Sequence, residues 1–104
     1  MEYNKIFRDI SAGLLITDKD FLVKWANKFE EDFYGKSLEE MKGMWVVNCH
    51  RDENKAFIES FLQKFKSGEM KEFTKIAAGM VITYSSYFEN QEFAGIVRTR
   101  IKMP

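Results

Sequence analysis

Apolar positions along the chain fall into short runs whose period changes from helical to extended and back. Tyr3, Ile6, Phe7 and Ile10 recur at three- and four-residue steps, which puts them on one face of a short N-terminal helix that Ser11-Ala12-Gly13 ends. Leu14–Thr17 and Phe21–Ala26 then read as two apolar strands, and the Asp18-Lys19-Asp20 turn between them makes an antiparallel hairpin. Asn27 with Glu30 three positions on is a capping pattern, and Gly35 is the stop, so residues 28–34 form a short helix. The same pattern returns at once in Ser37-Leu38-Glu39-Glu40, with Gly43 as its stop.

From Asp52 to Ser67 the helical signal is longest, with Phe57, Ile58, Phe61, Leu62 and Phe65 opposite Glu59, Gln63 and Lys66, and Gly68 closing it. Phe57, Phe61 and Phe65 are expected to be buried. Beyond Gly68 the period drops to two over Phe73–Ala78, Met80–Tyr87 and Phe93–Met103, with turns at Ala78-Gly79 and Glu89–Glu92. Two hairpin units flanking a helical insertion imply an α+β domain: one five-stranded antiparallel sheet with helices on one face. The last strand carries a basic stripe, Arg98, Arg100 and Lys102 in register with Ile96, opposite Val97, Thr99, Ile101 and Met103. It is either an interaction surface or, as expected here, a solvated outer face paired with nearby acids.

Composition narrows the function classes. A chain of 104 residues supports a single core, and the 45% apolar and 15% aromatic content supplies it. The 16 basic residues balance the 16 acidic ones, which removes the long-range attraction that nucleic-acid binding relies on. Cys49 has no second cysteine to pair with, and His50 is the single histidine, so neither a disulfide framework nor a structural zinc site fits and a reducing cytoplasm is expected. No run is long enough for a transmembrane helix, the start lacks a signal-peptide pattern, and no repeat is present. A membrane partner is therefore not expected.

Taken together these pieces resemble the PAS domain family over nearly the whole chain. The matching residues are Leu14-Leu15-Ile16-Thr17-Asp18, Trp25-Ala26-Asn27, Tyr34-Gly35, Ser37-Leu38-Glu39-Glu40 and Gly43. A long helix ending Lys66-Ser67-Gly68 follows, then three strands with Gly95 near the start of the last. The resemblance implies a sheet in the order 2-1-5-4-3 with the long helix across one face, an N-terminal helix over residues 1–12 and a core over 13–104. It also implies a non-enzymatic sensory or dimerising module, of signal transduction or transcription regulation, whose ligand differs from member to member.

Within that family, Asn48-Cys49-His50 is similar to the Asn-Cys-Arg photoadduct motif of flavin-binding members. Cys49 lies six residues after Gly43, however, and Val81–Tyr87 lacks the polar residues that hold a flavin, so flavin is not expected. Cys49 and Glu30 also resemble the chromophore anchor and hydrogen-bonding Glu of photoactive yellow proteins, but Ala26 stands where those carry a Tyr. Haem-binding members use a histidine on the long helix, and His50 comes slightly before it. Another similarity is to members with Cys-His at this joint and a strand like Tyr84-Ser85-Ser86-Tyr87-Phe88; it transfers no ligand.

Haem needs only one protein ligand, so His50 is the candidate metal ligand, with Cys49 or Met44 as sixth partner. Trp45, Phe57, Phe61 and Tyr84, with Trp25 and Phe88, are the candidate lining of a ligand cavity between the long helix and the sheet; the competing reading is that such rings fill the core. Asp18, Glu30 and Asp52 are the possible acids of a small enzyme, and capping accounts for them. The expected function is a cytoplasmic signal-sensing module that works through protein contact, self-association into a homodimer included, with a small molecule as a further partner. The rival is a haem-based redox or gas sensor.

Overall fold

The computed structural model describes residues 2–49 and 52–104 of the chain. The elements are α1 (Glu2–Phe7), β1 (Gly13–Thr17), β2 (Val23–Ala26), α2 (Lys28–Tyr34) and α3 (Leu38–Met41), then a 3-10 turn (Val46–Cys49) and α4 (Asp52–Lys66). The closing strands are β3 (Glu72–Ala77), β4 (Met80–Glu89) and β5 (Glu92–Lys102). All strands pair antiparallel in one sheet of order β2-β1-β5-β4-β3, the order the resemblance implies.

Local chemistry accounts for most boundaries. Asn27 caps α2 by accepting the Glu30 amide, and Gly35, at φ 67°, ends it in the left-handed region. Ser37 and Glu40 form a reciprocal capping box on α3. The first hairpin differs from the expected 21–26 strand: the Asp18 carboxylate accepts the amides of Asp20 and Leu22, which holds Phe21 in a turn and delays β2 to Val23. Helix α1 stops at Phe7, short of Ile10, because its next carbonyls have tertiary partners. The Asn27 side-chain amide donates to the Phe7 carbonyl, and the Lys28 amide donates to that of Arg8. Beyond β2, the Val23 amide donates to the Met44 carbonyl and Gly43 donates back to Val23, so the segment after α3 covers this edge of the sheet.

The core lies between the sheet and α2, α3, the 3-10 turn and α4. Leu15, Val23, Ala26, Met80, Ile82, Tyr84 and Ile96 supply the sheet side; Met41, Val46, Val47, Ile58, Phe61, Leu62 and Phe65 supply the helical side. Trp25 is buried elsewhere. It pairs with Ile16, which faces away from Leu15, and its indole N–H donates to Asn4 of α1 on that outer side.

The long helix corrects one expectation. Phe61 and Phe65 are buried, but Phe57 is 69% exposed. At about 100° per residue, Ile58, Phe61, Leu62 and Phe65 make one stripe, and Phe57 sits roughly 90° from its centre. It stacks on the flank of Phe61, with ring centroids 6.3 Å apart. Truncating Phe61 to Ala is expected to cost about 3–5 kcal/mol, whereas Phe57→Ala should cost less than about 1 kcal/mol. Denaturant melts of both variants check this, and equal losses would refute the assigned face.

Candidate functional site

The side chains with the most pronounced chemistry lie under α2. Asn27 sets that helix in place: its carboxamide oxygen accepts from the amides of Leu14 and Glu30, while its NH2 donates to the carbonyls of Phe7 and Ala12. One fully buried amide thus ties β1, the N-terminal segment and the first turn of α2 together. Glu30, one turn on, then points at the middle of the sheet instead of reaching back to close a capping box. Capping therefore does not account for this carboxylate.

There Glu30 meets two arginines of β5. Arg98 donates from Nη2 to Glu30 Oε1 at 2.8 Å, and Arg100 brings Nε to 3.0 Å from Glu30 Oε2 without the alignment of a hydrogen bond. Tyr34, which follows Glu30 by four residues on α2, accepts from Nη2 of both Arg98 (2.8 Å) and Arg100 (2.5 Å) at its hydroxyl. The Arg100 guanidinium also lies over the Phe33 ring, 4.0 Å from its centroid. Relative exposures are 0% for Glu30, 1% for Arg98 and 7% for Arg100. Room for the carboxylate comes from Gly13, where a Cβ would stand 2.2 Å from Glu30 Oε2.

These positions overturn the reading of the basic stripe as a solvated outer face. Arg98 pairs across the sheet with Leu15 and Tyr84, both core residues, so its register is the inner one, and Val97, Thr99 and Ile101 face outward. Burial acts most strongly against the Arg98 charge, but the Tyr34 and Glu30 oxygens outweigh it and hold its pKa above that of an exposed arginine. The signal for this was in β4: Met80, Ile82 and Tyr84 must face the core, and antiparallel pairing carries Arg98 and Arg100 to the same side.

The expected site residues are spread out. Phe61 and Tyr84 meet ring to ring, 5.2 Å between centroids, and Phe61 also packs on Phe65 and Phe73. Trp45 is half-buried beside β2, bridging to Leu22, while Phe57 and Phe88 are exposed. His50 lies outside the described residues, and Cys49 is described only as the end of the 3-10 turn. Among the described residues there is no cluster of metal-ligating side chains and no helix long and apolar enough to cross a membrane. Asp18 holds its turn and Asp52 pairs with Lys55. An open crevice of about 350 Å³ beside the two hairpin turns is lined by charges of both signs, Asp18, Lys19, Lys24, Glu89 and Glu92.

In sequence the chain matches no protein-family model and no curated protein. In structure it is similar to the PAS domain of a protein from Colwellia psychrerythraea, with a TM-score of 0.78 at 19% identity over 98% of this chain and 94% of that one. It is also similar to the PAS domain of BvgS from Bordetella pertussis, with a TM-score of 0.77 at 14% identity over 99% and 85%. For the PAS domain of the histidine kinase ThkA the values are 0.69 at 17% identity over 89% and 100%. The chain has the PAS fold.

Two outcomes are expected for α2. Glu30→Ala leaves two buried guanidiniums without their carboxylate and should cost about 3–5 kcal/mol. Replacing the set together, Glu30→Leu with Arg98→Met and Arg100→Met, should return stability to within about 1 kcal/mol of the parent or above it. Chemical denaturation checks both, and a triple variant as unstable as the single one would contradict the account.

Glu31 supplies the second. A hydrogen bond from Arg8, then one from the Leu38 amide, hold its carboxyl below the ordinary Glu range. A depressed folded-state pKa gives stability that is present above the unfolded value and lost as pH falls through the folded one. The parent should therefore lose more stability than Glu31→Gln as pH falls below about 4. Parallel pH dependences of the two melts would exclude that role.

Proposed function

We propose that this chain, with its PAS fold, is a non-enzymatic signal-sensing module of the cytoplasm that acts through protein contact, and first through pairing with a second copy of itself. The observation that carries the reading is the outer surface. The described apolar residues Ile6, Phe7 and Ile10 of the N-terminal segment are exposed, and so are Ile76, Ile101 and Met103 at the far side of the sheet. Leu14, Ile16, Val81 and Val97 lie between these two groups on the outward register, half-buried. A two-fold pairing in which α1 of each copy covers the partner's sheet removes both apolar groups from water at once. Zero formal net charge leaves little long-range repulsion against it. The structural neighbours support a sensory role, since one of them is a domain of a histidine kinase. The bonds from Asn27 to the Phe7 carbonyl at the end of α1 and from Arg8 to Glu31 support the reading, because they link the N-terminal segment to the helix that carries Glu30.

Sedimentation equilibrium at tens of micromolar tests the reading. The intact chain should weigh as a dimer and the double variant Ile6→Asp, Phe7→Asp as a monomer; a monomer in both would end it. The same purified protein tests the rival with His50 as haem ligand, which requires a Soret band that His50→Ala removes. A colourless chain that takes up no added haemin excludes the rival.

A further inference from the structure

The sheet ends in two edges, β2 and β3, and they are finished differently. At β2 the segment after α3 takes up outward backbone groups through the Val23 and Gly43 bonds. At β3 no such cover is present among the described residues. The strand pairs with β4 over its 6 residues without a bulge and contains no proline, so neither of these guards against edge pairing interrupts it. One bond sets its phase: the Ser86 amide donates to the Lys71 carbonyl. Bonded and non-bonded pairs alternate in an antiparallel ladder, so Phe73, Lys75 and Ala77 also turn their backbone groups to β4. Glu72, Thr74 and Ile76 turn theirs outward, and among the described residues nothing bonds them there.

Side chains select what can pair there. On the inner register Phe73 packs on Phe61, with ring centroids 4.8 Å apart, yet keeps 36% of its surface exposed. Lys71 and Lys75 flank it on that register. Their ammonium groups lie 6.0 Å and 5.9 Å from the Phe88 and Tyr84 ring centroids, and among the described residues neither meets a carboxylate. A second copy of β3 does not supply one. Two-fold antiparallel pairing opposes residues of the same register: centred on Phe73 or Lys75 it sets lysine against lysine, and centred on Thr74 it sets Lys75 against Phe73 and Lys71 against Ala77. A separate strand with acids at those two positions serves both lysines. We infer that β3 is a docking edge for an extended segment of another protein, added antiparallel like every other strand of the sheet, with an apolar side chain over Phe73 between two acidic ones that face Lys71 and Lys75. The inference goes beyond the self-association proposed above, and it uses the edge of the sheet rather than its outer face.

The probe is a blocked hexapeptide, Val-Glu-Thr-Ile-Thr-Glu, whose isoleucine reaches Phe73 when its glutamates face the two lysines. In NMR titrations of the isotope-labelled chain it should shift the amides of Glu72, Thr74 and Ile76 saturably and slow their exchange. The peptide with lysine for both glutamates should bind at least about tenfold more weakly, and the double variant Lys71→Glu, Lys75→Glu should reverse that preference. N-methylation of the two threonines removes peptide donors that face β3 and leaves the charge unchanged, so it should abolish binding. Thr74→Pro should abolish it too, because proline is tolerated on an edge strand where the N–H points outward. If Thr74→Pro fails to fold, the methylated peptide decides. No saturable shift with up to about 10 mM peptide would overturn the inference, as would equal binding of the methylated form. So would a peptide-free dimer that Thr74→Pro turns into a monomer, since a second copy then holds the edge. Self-association is measured without peptide, so a dimer that ignores the peptide removes this inference alone, and a monomer that binds it removes the pairing reading alone.

Discussion

The geometry of this domain depends on keeping Glu30, Arg98 and Arg100 together out of water. An unpaired charge in this position is costly enough to undo a domain of this size, so every element that carries one of the three must arrive in register. Helix α2 has to lie over β1 and β5 with Glu30 inward, which Asn27 ensures by binding β1 and the N-terminal segment through a single amide. Strand β5 has to present Arg98 beside Leu15 and Tyr84, which excludes a one-residue slip against either neighbour. Gly13 has to lack a side chain so that the carboxylate fits.

The same constraint fixes what each sheet face offers. With the arginines inward, Val97, Thr99 and Ile101 turn out beside Leu14, Ile16, Val81 and Thr83, and the outer surface becomes apolar with a row of threonines rather than basic. The proposed contact face and the buried charges are thereby separated by one layer of backbone. The inner side holds the charges and the aromatic rings of α4; the outer side holds the patch beside α1. Helix α2 links the two, since Glu30 faces the arginines while the adjacent Glu31 binds Arg8, just beyond α1. A shift of α2 by a fraction of a turn would be felt at both ends of that link.

Periodicity and capping, which are local, determined much of this protein from sequence alone. The helix over 28–34 follows from Asn27 and Gly35, the one-turn helix from Ser37 and Glu40, the buried stripe of Phe61 and Phe65 from their spacing, and the strand order from the succession of elements together with the family resemblance. Tertiary structure decided what local rules leave degenerate. A strand with one basic and one apolar stripe reads as charges outward on hydropathy alone, and only the pairing of β5 with Tyr84 and Leu15 reverses it. An Asn-x-x-Glu start reads as a closed capping box, and only the arginines across the sheet draw Glu30 inward. Phe57 shares a four-residue step with Phe61 and yet lies at the edge of the contact, because four residues carry a helix about 40° past a full turn, which takes Phe57 off the stripe of Ile58, Phe61, Leu62 and Phe65. Charge pairing over tens of residues leaves no periodic trace in a sequence, and it is the interaction that chose which way these side chains face.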